Sequence, residues 1–256
     1  MQPLISIITV SYNSVKTIEQ TILSVVHQTY NNIEYIIIDG GSQDGTLEII
    51  EKYQDKISFW ISEPDKGVYD AMNKGISYAK GDYIGIINSD DWYELDAIEK
   101  IVSIIKEDYI VIYGDMMYEK SKSELVKPSK DLSLLEKQMI ICHPSVFVKS
   151  EAYKKYGNFD ITYKISADWD MMLRLYEKEC LFYYCDDLIS HFRTNGISSN
   201  FNMRQIKERT KIRKSHGNFS ILLLMKDILI FLFFKINLFD FLLKIKKYGK
   251  HSKMKS

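Results

Sequence analysis

The first hundred residues alternate between short, apolar, β-rich runs and segments with helical spacing, and no other feature limits the possible folds so sharply. Residues 4–10, 33–38, 57–61 and 83–87 read as strands, and 15–27, about 45–53, 67–79 and 95–106 as the helices between them. Apolar strands separated by helices predict a parallel sheet covered on both faces. The expected fold is therefore α/β: a Rossmann-like, mostly parallel central sheet with helices on both faces.

Polar residues gather where each strand hands over to its helix. They are Ser11-Tyr12-Asn13, then Asp39, Ser42 and Asp44, then Glu63-Pro64-Asp65, then Asn88-Ser89-Asp90-Asp91. Carboxyl ends of strands border the ligand crevice of open α/β sheets, so these four loops are expected to face one site. Residues 88–91 are the most informative. Their oxygen donors suit a hard cation, Mg²⁺ or Mn²⁺, shared with substrate phosphates. Taken alone, the tetrapeptide reads equally well as a solvated acidic turn in which Asp90 or Asp91 caps a helix.

From residue 110 the rhythm breaks. Residues 110–118 and 145–148 read as strands, 120–129 as a charged excursion, and 168–177 as an amphipathic helix with Met171, Met172 and Leu175 on its apolar side. A long helical region starts near Asn202. The expected division is a catalytic domain over 1–203, split into halves 1–108 and 109–203, and a helical extension over 204–256.

Charge divides in the same place. From Arg204 to Ser256 there are 14 Lys/Arg against 3 Asp/Glu, a net of +11, so residues 1–203 carry −11 in a chain of zero formal charge. Residues 219–234 are mostly apolar but interrupted by Lys226-Asp227, and they fall short of the roughly 20 apolar residues that cross a bilayer. Asn237, Phe239, Leu242 and Leu243 follow, then six lysines between Lys244 and Lys255. This is the pattern of an in-plane interfacial helix with a cationic end. The alternative is a helix packed on the body with a loose basic tail. Cys142, Cys180 and Cys185 have no metal-binding or disulfide-framework spacing, and Met1-Gln2-Pro3 leads straight into a strand, so buried structural thiols in a reduced, cytoplasmic setting are expected.

With these residues assembled, the chain resembles the family-2 glycosyltransferases of the GT-A fold, in particular bacterial enzymes that build O-antigen and exopolysaccharide units. Five motifs carry the resemblance, in order. They are Ser6-Ile-Ile-Thr-Val-Ser-Tyr-Asn13, Ile38-Asp-Gly-Gly-Ser-Gln-Asp-Gly-Thr46, Glu63-Pro-Asp-Lys-Gly-Val-Tyr-Asp-Ala-Met-Asn-Lys-Gly75, Asn88-Ser-Asp-Asp-Trp92 and Ala167-Asp-Trp-Asp-Met-Met-Leu-Arg174. The resemblance covers about residues 4–200. The C-terminal extension, expected to associate with a membrane, lies outside them.

The resemblance implies a nucleotide-sugar substrate, a divalent cation (Mn²⁺ or Mg²⁺) and transfer with inversion at the anomeric carbon. It implies that Asp39 accepts a hydrogen bond from the nucleotide base, in a pocket lined by Val10, Ser11 and Tyr12. Asn88 and Ser89 would lie near the ribose, and Asp90 would ligate the metal, with Asp91 and His191 as further candidate ligands. Asp168 would be the general base. Asp65, Asp70 and Asn73 are candidates for nucleotide-sugar contact, although each carboxylate could equally cap the helix that begins beside it. His143 could meet a sugar or be a hydrogen-bonded structural histidine. Trp92 and Trp169 are expected to pack and stiffen the acidic elements beside them.

Three residues depart from the family pattern. Asn88 stands where many relatives have Asp, Ala167 replaces an acid before the base, which leaves Asp170 as a second candidate, and Met72 replaces a common Arg, for which Lys66, Lys74 or Arg193 could compensate. No histidine or cysteine is placed as a covalent nucleophile, so direct displacement is the simpler chemistry.

The expected function is thus transfer of a hexose or N-acetylhexosamine from a UDP-sugar to a lipid-linked saccharide, at the cytoplasmic face of a bacterial inner membrane. No nucleic-acid partner is expected. Two alternatives remain: a non-catalytic membrane-associated scaffold that keeps the fold, and a nucleotidyltransferase. The second would need a Gly-rich phosphate loop after the first strand, where Ser11-Tyr-Asn-Ser14 has no glycine.

Overall fold

Isoleucine-rich strands form the centre of the molecule because they can be buried on both faces. The computed structural model describes residues 2–105, 109–120, 122–194, 202–233 and 235. It divides into two compact units, 1–196 and 197–256, against an expected boundary at 203/204.

In the first unit, β1 (Ile5–Ser11), β2 (Ile33–Asp39), β3 (Phe59–Ser62) and β4 (Tyr83–Asn88) lie parallel in the order β3-β2-β1-β4. Helices α1 (Ile18–Val26), α2 (Thr46–Lys52) and α4 (Ala97–Ile104) cover one face, where Ile5, Ile7, Ile37 and Ile87 meet Ile18, Ile22, Ile50, Ile98 and Ile101. Helix α3 (Val68–Tyr78) covers the other face and lies very close to β1. A Cβ on Gly75 would sit 2.4 Å from Cγ2 of Ile8, so glycine is what permits that approach. Each fully buried Ile contributes on the order of 1.5–3 kcal/mol, which makes this sandwich the main stabilising element.

The second half of the sheet is built differently. β8 (Val146–Lys149) pairs antiparallel with β4 and with β6 (Tyr109–Glu119), and β6 runs parallel to β9 (Leu181–Arg193). Two short strands, β5 (Trp92–Tyr93) and β7 (Glu124–Val126), pair antiparallel with β9 and β6. The α/β class stands, but four of the eight pairings among the described residues are antiparallel, so the sheet is mixed beyond β4. Helices α5 (Ser150–Tyr156) and α6 (Ala167–Glu177) complete the unit.

In the second unit, α7 (Met203–Ser215) opens with a capping box: Asn202 Oδ1 accepts from the N–H groups of Arg204 and Gln205, and Gln205 Oε1 accepts from the N–H of Asn202. A further helical segment covers 221–233. Its Asp227 is 1% exposed and bound by Arg213 at 2.7 Å and Arg209 at 3.2 Å. Ile221, Leu222, Met225, Ile228, Leu229, Leu232 and Phe233 are exposed, at a spacing that places them along one helical stripe. Among the described residues, no helix is long and apolar enough to cross a membrane. Asn237, Phe239, Leu242, Leu243 and the lysines of the expected cationic end lie outside the described residues.

Candidate functional site

Register brings the polar loops together. Ser11 is level with Asp39 across β1 and β2, and Val10 with Asn88 across β1 and β4, so three strands end side by side. Side chains then join the loops. Ser89 N–H donates to the Val10 carbonyl at 3.2 Å, the Ser14 and Ser89 hydroxyls are 2.7 Å apart, and Asn13 N–H donates to Ser42 Oγ at 2.7 Å. Asn13 takes φ = 49°, the left-handed conformation that asparagine tolerates, and its Oδ1 accepts from Gln43 N–H. Gly40 leaves room for two neighbours: a Cβ there would lie 2.6 Å from Asp65 Oδ2 and 3.3 Å from the Tyr12 ring. Tyr12 itself is 65% exposed at this rim.

Asp39 organises the junction. It is fully buried, and five donors fill its carboxylate: Ser11 Oγ and Ser42 Oγ on Oδ1, and Gly41 N–H, Ser42 N–H and Ser62 Oγ on Oδ2, all between 2.6 and 3.0 Å. Burial pushes its pKa up, but the hydrogen bonds from Ser42, Ser62 and Ser11 outweigh burial and hold the carboxyl below its ordinary range. A carboxylate offers about four acceptor sites, so a nucleotide base reaches Asp39 only by displacing a donor. The Ser62 hydroxyl can rotate away; the two backbone N–H groups cannot.

Asn88, Asp90 and Asp91 of the 88–91 loop differ in what they touch. Asp91 is fully buried and accepts from Arg193 N–H at 3.0 Å and more weakly from Asn88 Nδ2 at 3.4 Å. Burial, reinforced by the neighbouring Asp90, pushes its pKa up to about 8. Asp90 is also raised by burial, with only its own backbone N–H and the charge of Arg193 opposing. Oδ1 of Asn88 is buried without a hydrogen-bond partner. A buried acceptor with no donor among the described residues, two positions from a desolvated carboxylate on the same loop, is the kind of pair a hard cation would complete, so the chemistry of Asp90 and Asn88 fits Mn²⁺ or Mg²⁺. No group of three or more His, Cys, Asp or Glu side chains among the described residues could hold a metal, which suits a cation that keeps waters and borrows substrate phosphates.

His191 and Asp91, expected as further metal ligands, are both engaged by protein groups. His191 Nε2 is 2.5 Å from Glu94 Oε1 and its Nδ1 is 2.7 Å from Glu119 Oε1, so neither ring nitrogen is open to a cation. Asp91 is turned inward to brace β9.

Asp168 stands in the first turn of α6, where Tyr69 OH donates to its Oδ1 at 3.0 Å and to the Ile165 carbonyl at 2.8 Å. Tyr69 belongs to α3, which starts beyond the carboxyl end of β3, so it links Asp168 to the same rim. Asp170, the other candidate base, is buried and bound to Arg174 at 3.1 Å. Arg174 also donates to the carbonyls of Tyr156, Gly157 and Asn158. Asp170 therefore belongs to a structural clamp. His143 is held below its usual pKa by burial, with Asp168 opposing, and packs edge-on against Phe159.

Asn73, a candidate for nucleotide-sugar contact, pairs its amide with both the N–H and the carbonyl of Phe159, at 3.0 and 2.8 Å. Asp70 and Asp65 accept from the Lys66 and Gly67 N–H groups in the turn into α3, and Asp70 stands in the first turn of that helix. Lys74 is bound to Glu63 at 2.8 Å, so it does not replace the cation lost at Met72. Trp169 donates from Nε1 to the Leu135 carbonyl at 2.7 Å, and Trp92 stacks on His191, both as packing residues. Tyr69, Ser62, Glu94 and Glu119 were not singled out by sequence reasoning. Tyr69 and Ser62 had a signal, since both adjoin the Glu63–Gly75 motif; Glu94 and Glu119 had none.

Comparison with known proteins identifies the family and the fold. The sequence profile described as "Glycosyl transferase family 2" matches residues 6–173. A "PGL/p-HBAD biosynthesis glycosyltransferase" of Mycobacterium bovis is 29% identical over 185 residues, covering 70% of this chain and 72% of that protein. Among solved structures, S. aureus TarS 1–349 in complex with UDP-GlcNAc superposes with a TM-score of 0.69 at 18% identity, over 90% of this chain and 71% of that one. This chain spans 43% of a longer TarS chain. The mannosyltransferase PcManGT from Pyrobaculum calidifontis, in complex with GDP-Man and Mn²⁺, superposes with a TM-score of 0.66 at 15% identity, over 86% of this chain and 66% of that one.

Proposed function

This chain belongs to glycosyl transferase family 2 and has the GT-A fold, and from that premise we propose that it transfers a hexose or N-acetylhexosamine from a UDP-sugar to a lipid-linked saccharide, with inversion. The observation that carries the reading is the difference among the rim acids. Asp39 is saturated by five protein donors and Asp91 is held by Arg193 N–H, whereas among the described residues Asp90 meets only its own backbone N–H and Asn88, two positions before it, has an unpartnered buried Oδ1. Asp90 and Asn88 would hold Mn²⁺ or Mg²⁺. A bound cation supplies Lewis-acid stabilisation of the departing diphosphate.

The chain's own residues divide the remaining work. Tyr12 offers an exposed ring to the base, and Asp39 accepts a base N–H once the Ser62 hydroxyl turns aside. Asp168 takes the proton of the acceptor hydroxyl, a role worth about 10²–10⁴-fold in rate. Tyr69 orients Asp168 through its Oδ1, leaving Oδ2 to the substrate. No covalent intermediate is required.

The tail supports the reading of acceptor and location. A +11 extension behind a −11 body, together with the apolar stripe of 221–233, supports docking at an anionic membrane surface, the cytoplasmic face of a bacterial inner membrane. A lipid-linked acceptor of cell-surface polysaccharide, such as an O-antigen or exopolysaccharide unit, would be presented there. The test is a screen of UDP- and GDP-sugars for nucleotide release with Mn²⁺ and then with chelator, using a diphospholipid-linked saccharide as acceptor. Metal-dependent release that Asp168→Asn nearly abolishes, with binding of the sugar nucleotide intact, is expected. No metal-dependent release from any common sugar nucleotide would favour the non-catalytic scaffold.

A further inference from the structure

Behind the 88–91 loop lies a cluster that the transfer chemistry does not use. β5 leaves the loop directly after Asp91 and places Trp92 opposite His191 of β9. The two rings stack with centroids 4.9 Å apart and planes 8° apart. Each nitrogen of the His191 ring meets a carboxylate, Glu94 at 2.5 Å and Glu119 at 2.7 Å. Glu94 follows β5 and Glu119 ends β6, so one imidazole joins three segments of chain. Ser123 Oγ donates to Glu119, and Thr194 Oγ1 donates to its carbonyl at 3.1 Å, which fixes that carboxylate in turn.

Two residues beyond His191, the chain returns to the loop. Arg193 donates from its N–H to Asp91 at 3.0 Å, from Nε to the Asp90 carbonyl at 3.1 Å and from a terminal nitrogen to Gln20 at 2.7 Å. Its guanidinium also lies 5.2 Å over the Trp92 ring. An imidazole held at both nitrogens and on one face cannot rotate or slide without breaking a short contact. The segment 191–193 therefore grips the loop at Asp90, Asp91 and Trp92.

We propose that His191, fixed by Glu94 and Glu119, is the positioning residue of the cation loop: it holds Trp92, and through Arg193 the Asp90–Asp91 turn, in the arrangement that receives a divalent cation with the nucleotide diphosphate. The proposal rests on the cation reading given above. Groups that orient a ligand without touching the metal change metal affinity by about 10–100-fold when removed.

The test is a direct Mn²⁺ titration, followed by the spin-resonance signal of free Mn²⁺, on the intact protein with UDP and separately with GDP. Wild type, His191→Asn, Glu94→Gln and Glu119→Gln are compared, the last two being variants that keep shape and hydrogen-bonding capacity. About tenfold or greater weakening of Mn²⁺ is expected for His191→Asn, with a smaller shift for each Glu→Gln variant. The Mn²⁺ concentration for half-maximal turnover should move by the same factor, while kcat at saturating Mn²⁺ is largely retained. Unchanged Mn²⁺ affinity in the folded variants would overturn the positioning role and leave the cation site standing. So would loss of kcat at saturating Mn²⁺ with affinity unchanged, or loss of fold in all three variants. Absence of Mn²⁺ binding by wild type with either nucleotide would overturn the cation reading, and this inference with it.

Discussion

Replacing Asp39 should cost far more stability than a buried polar substitution usually does, because one side chain satisfies five donors. A hydrogen bond to a charged acceptor contributes about 1.5–3 kcal/mol net, against about 0.5–1.5 for a neutral one. Asp39→Asn can turn its NH₂ toward the Ser11 and Ser42 hydroxyls, which can accept. The remaining carbonyl must then serve Gly41 N–H, Ser42 N–H and Ser62 Oγ without a charge. Losing about 1 kcal/mol at each of those three bonds gives about 3 kcal/mol. Asp39→Ala leaves the two backbone N–H groups with no acceptor, at about 1–3 kcal/mol each, and opens a void besides. It should be the more damaging change. The loss is large against a domain stability of about 5–15 kcal/mol.

The pH dependence gives a second check. The folded Asp39 carboxyl lies below its ordinary value, so its contribution is complete above the unfolded value of about 3.9 and is lost as pH falls through the folded one. Urea unfolding at neutral pH and along an acid series would measure this. The gap between wild type and Asp39→Asn should hold from neutral pH to about pH 5 and close below about pH 4. A neutral-pH gap under about 1 kcal/mol, or one that persists undiminished in acid, would refute the argument from saturated donors.

Asp90→Asn should weaken Mn²⁺ binding and yet leave the metal-free protein at least as stable as wild type near neutral pH, since burial already disfavours the charge it removes; a destabilised metal-free variant in a thermal scan would contradict this. Gly75→Ala should lower the thermal midpoint by the equivalent of about 1–3 kcal/mol despite the better helix propensity of alanine, because the added methyl meets fully buried Ile8; an unchanged midpoint would show that α3 can move off β1. Leu222→Asp combined with Leu229→Asp should reduce co-sedimentation with anionic vesicles at least tenfold, each leucine being worth about 1.5–3 kcal/mol when buried; unchanged sedimentation would remove the apolar stripe from the docking surface.

The first half of the fold was legible because its strands are unbroken apolar runs bounded by turn residues. β1, β2 and β4 fall within a residue or so of where residue pattern alone places them. The second half was not, for identifiable reasons. β7 lies inside the charged stretch 120–129, where edge pairing to β6 rather than burial makes the strand. β9 carries Asp186 and Asp187 in its middle, where the register against β6 shifts, so its alternation is interrupted. α5 is a short helix between β8 and a glycine with φ = 86°, and its apolar content is too slight to show a period.

The site divides along another line. Sequence could place acids at the rim because strand ends are readable, but it could not rank them, because rank depends on how many donors each one meets. Asp39, Asp90 and Asp91 are chemically the same side chain at the ends of two strands, β2 and β4, that flank β1. One is saturated by serines, one braces β9 through Arg193 and is pushed up to about 8 by burial, and one has its carboxylate left for a ligand. The same sorting separates Asp168, touched by a single tyrosine hydroxyl among the contacts seen, from Asp170, locked to Arg174 two residues away. Asp39 and Asp170 are buried under protein donors, whereas Asp90 and Asp168 meet few of them among the described residues. An acid that the protein has already neutralised or saturated cannot also respond to a diphosphate or a hydroxyl without breaking the loop it holds.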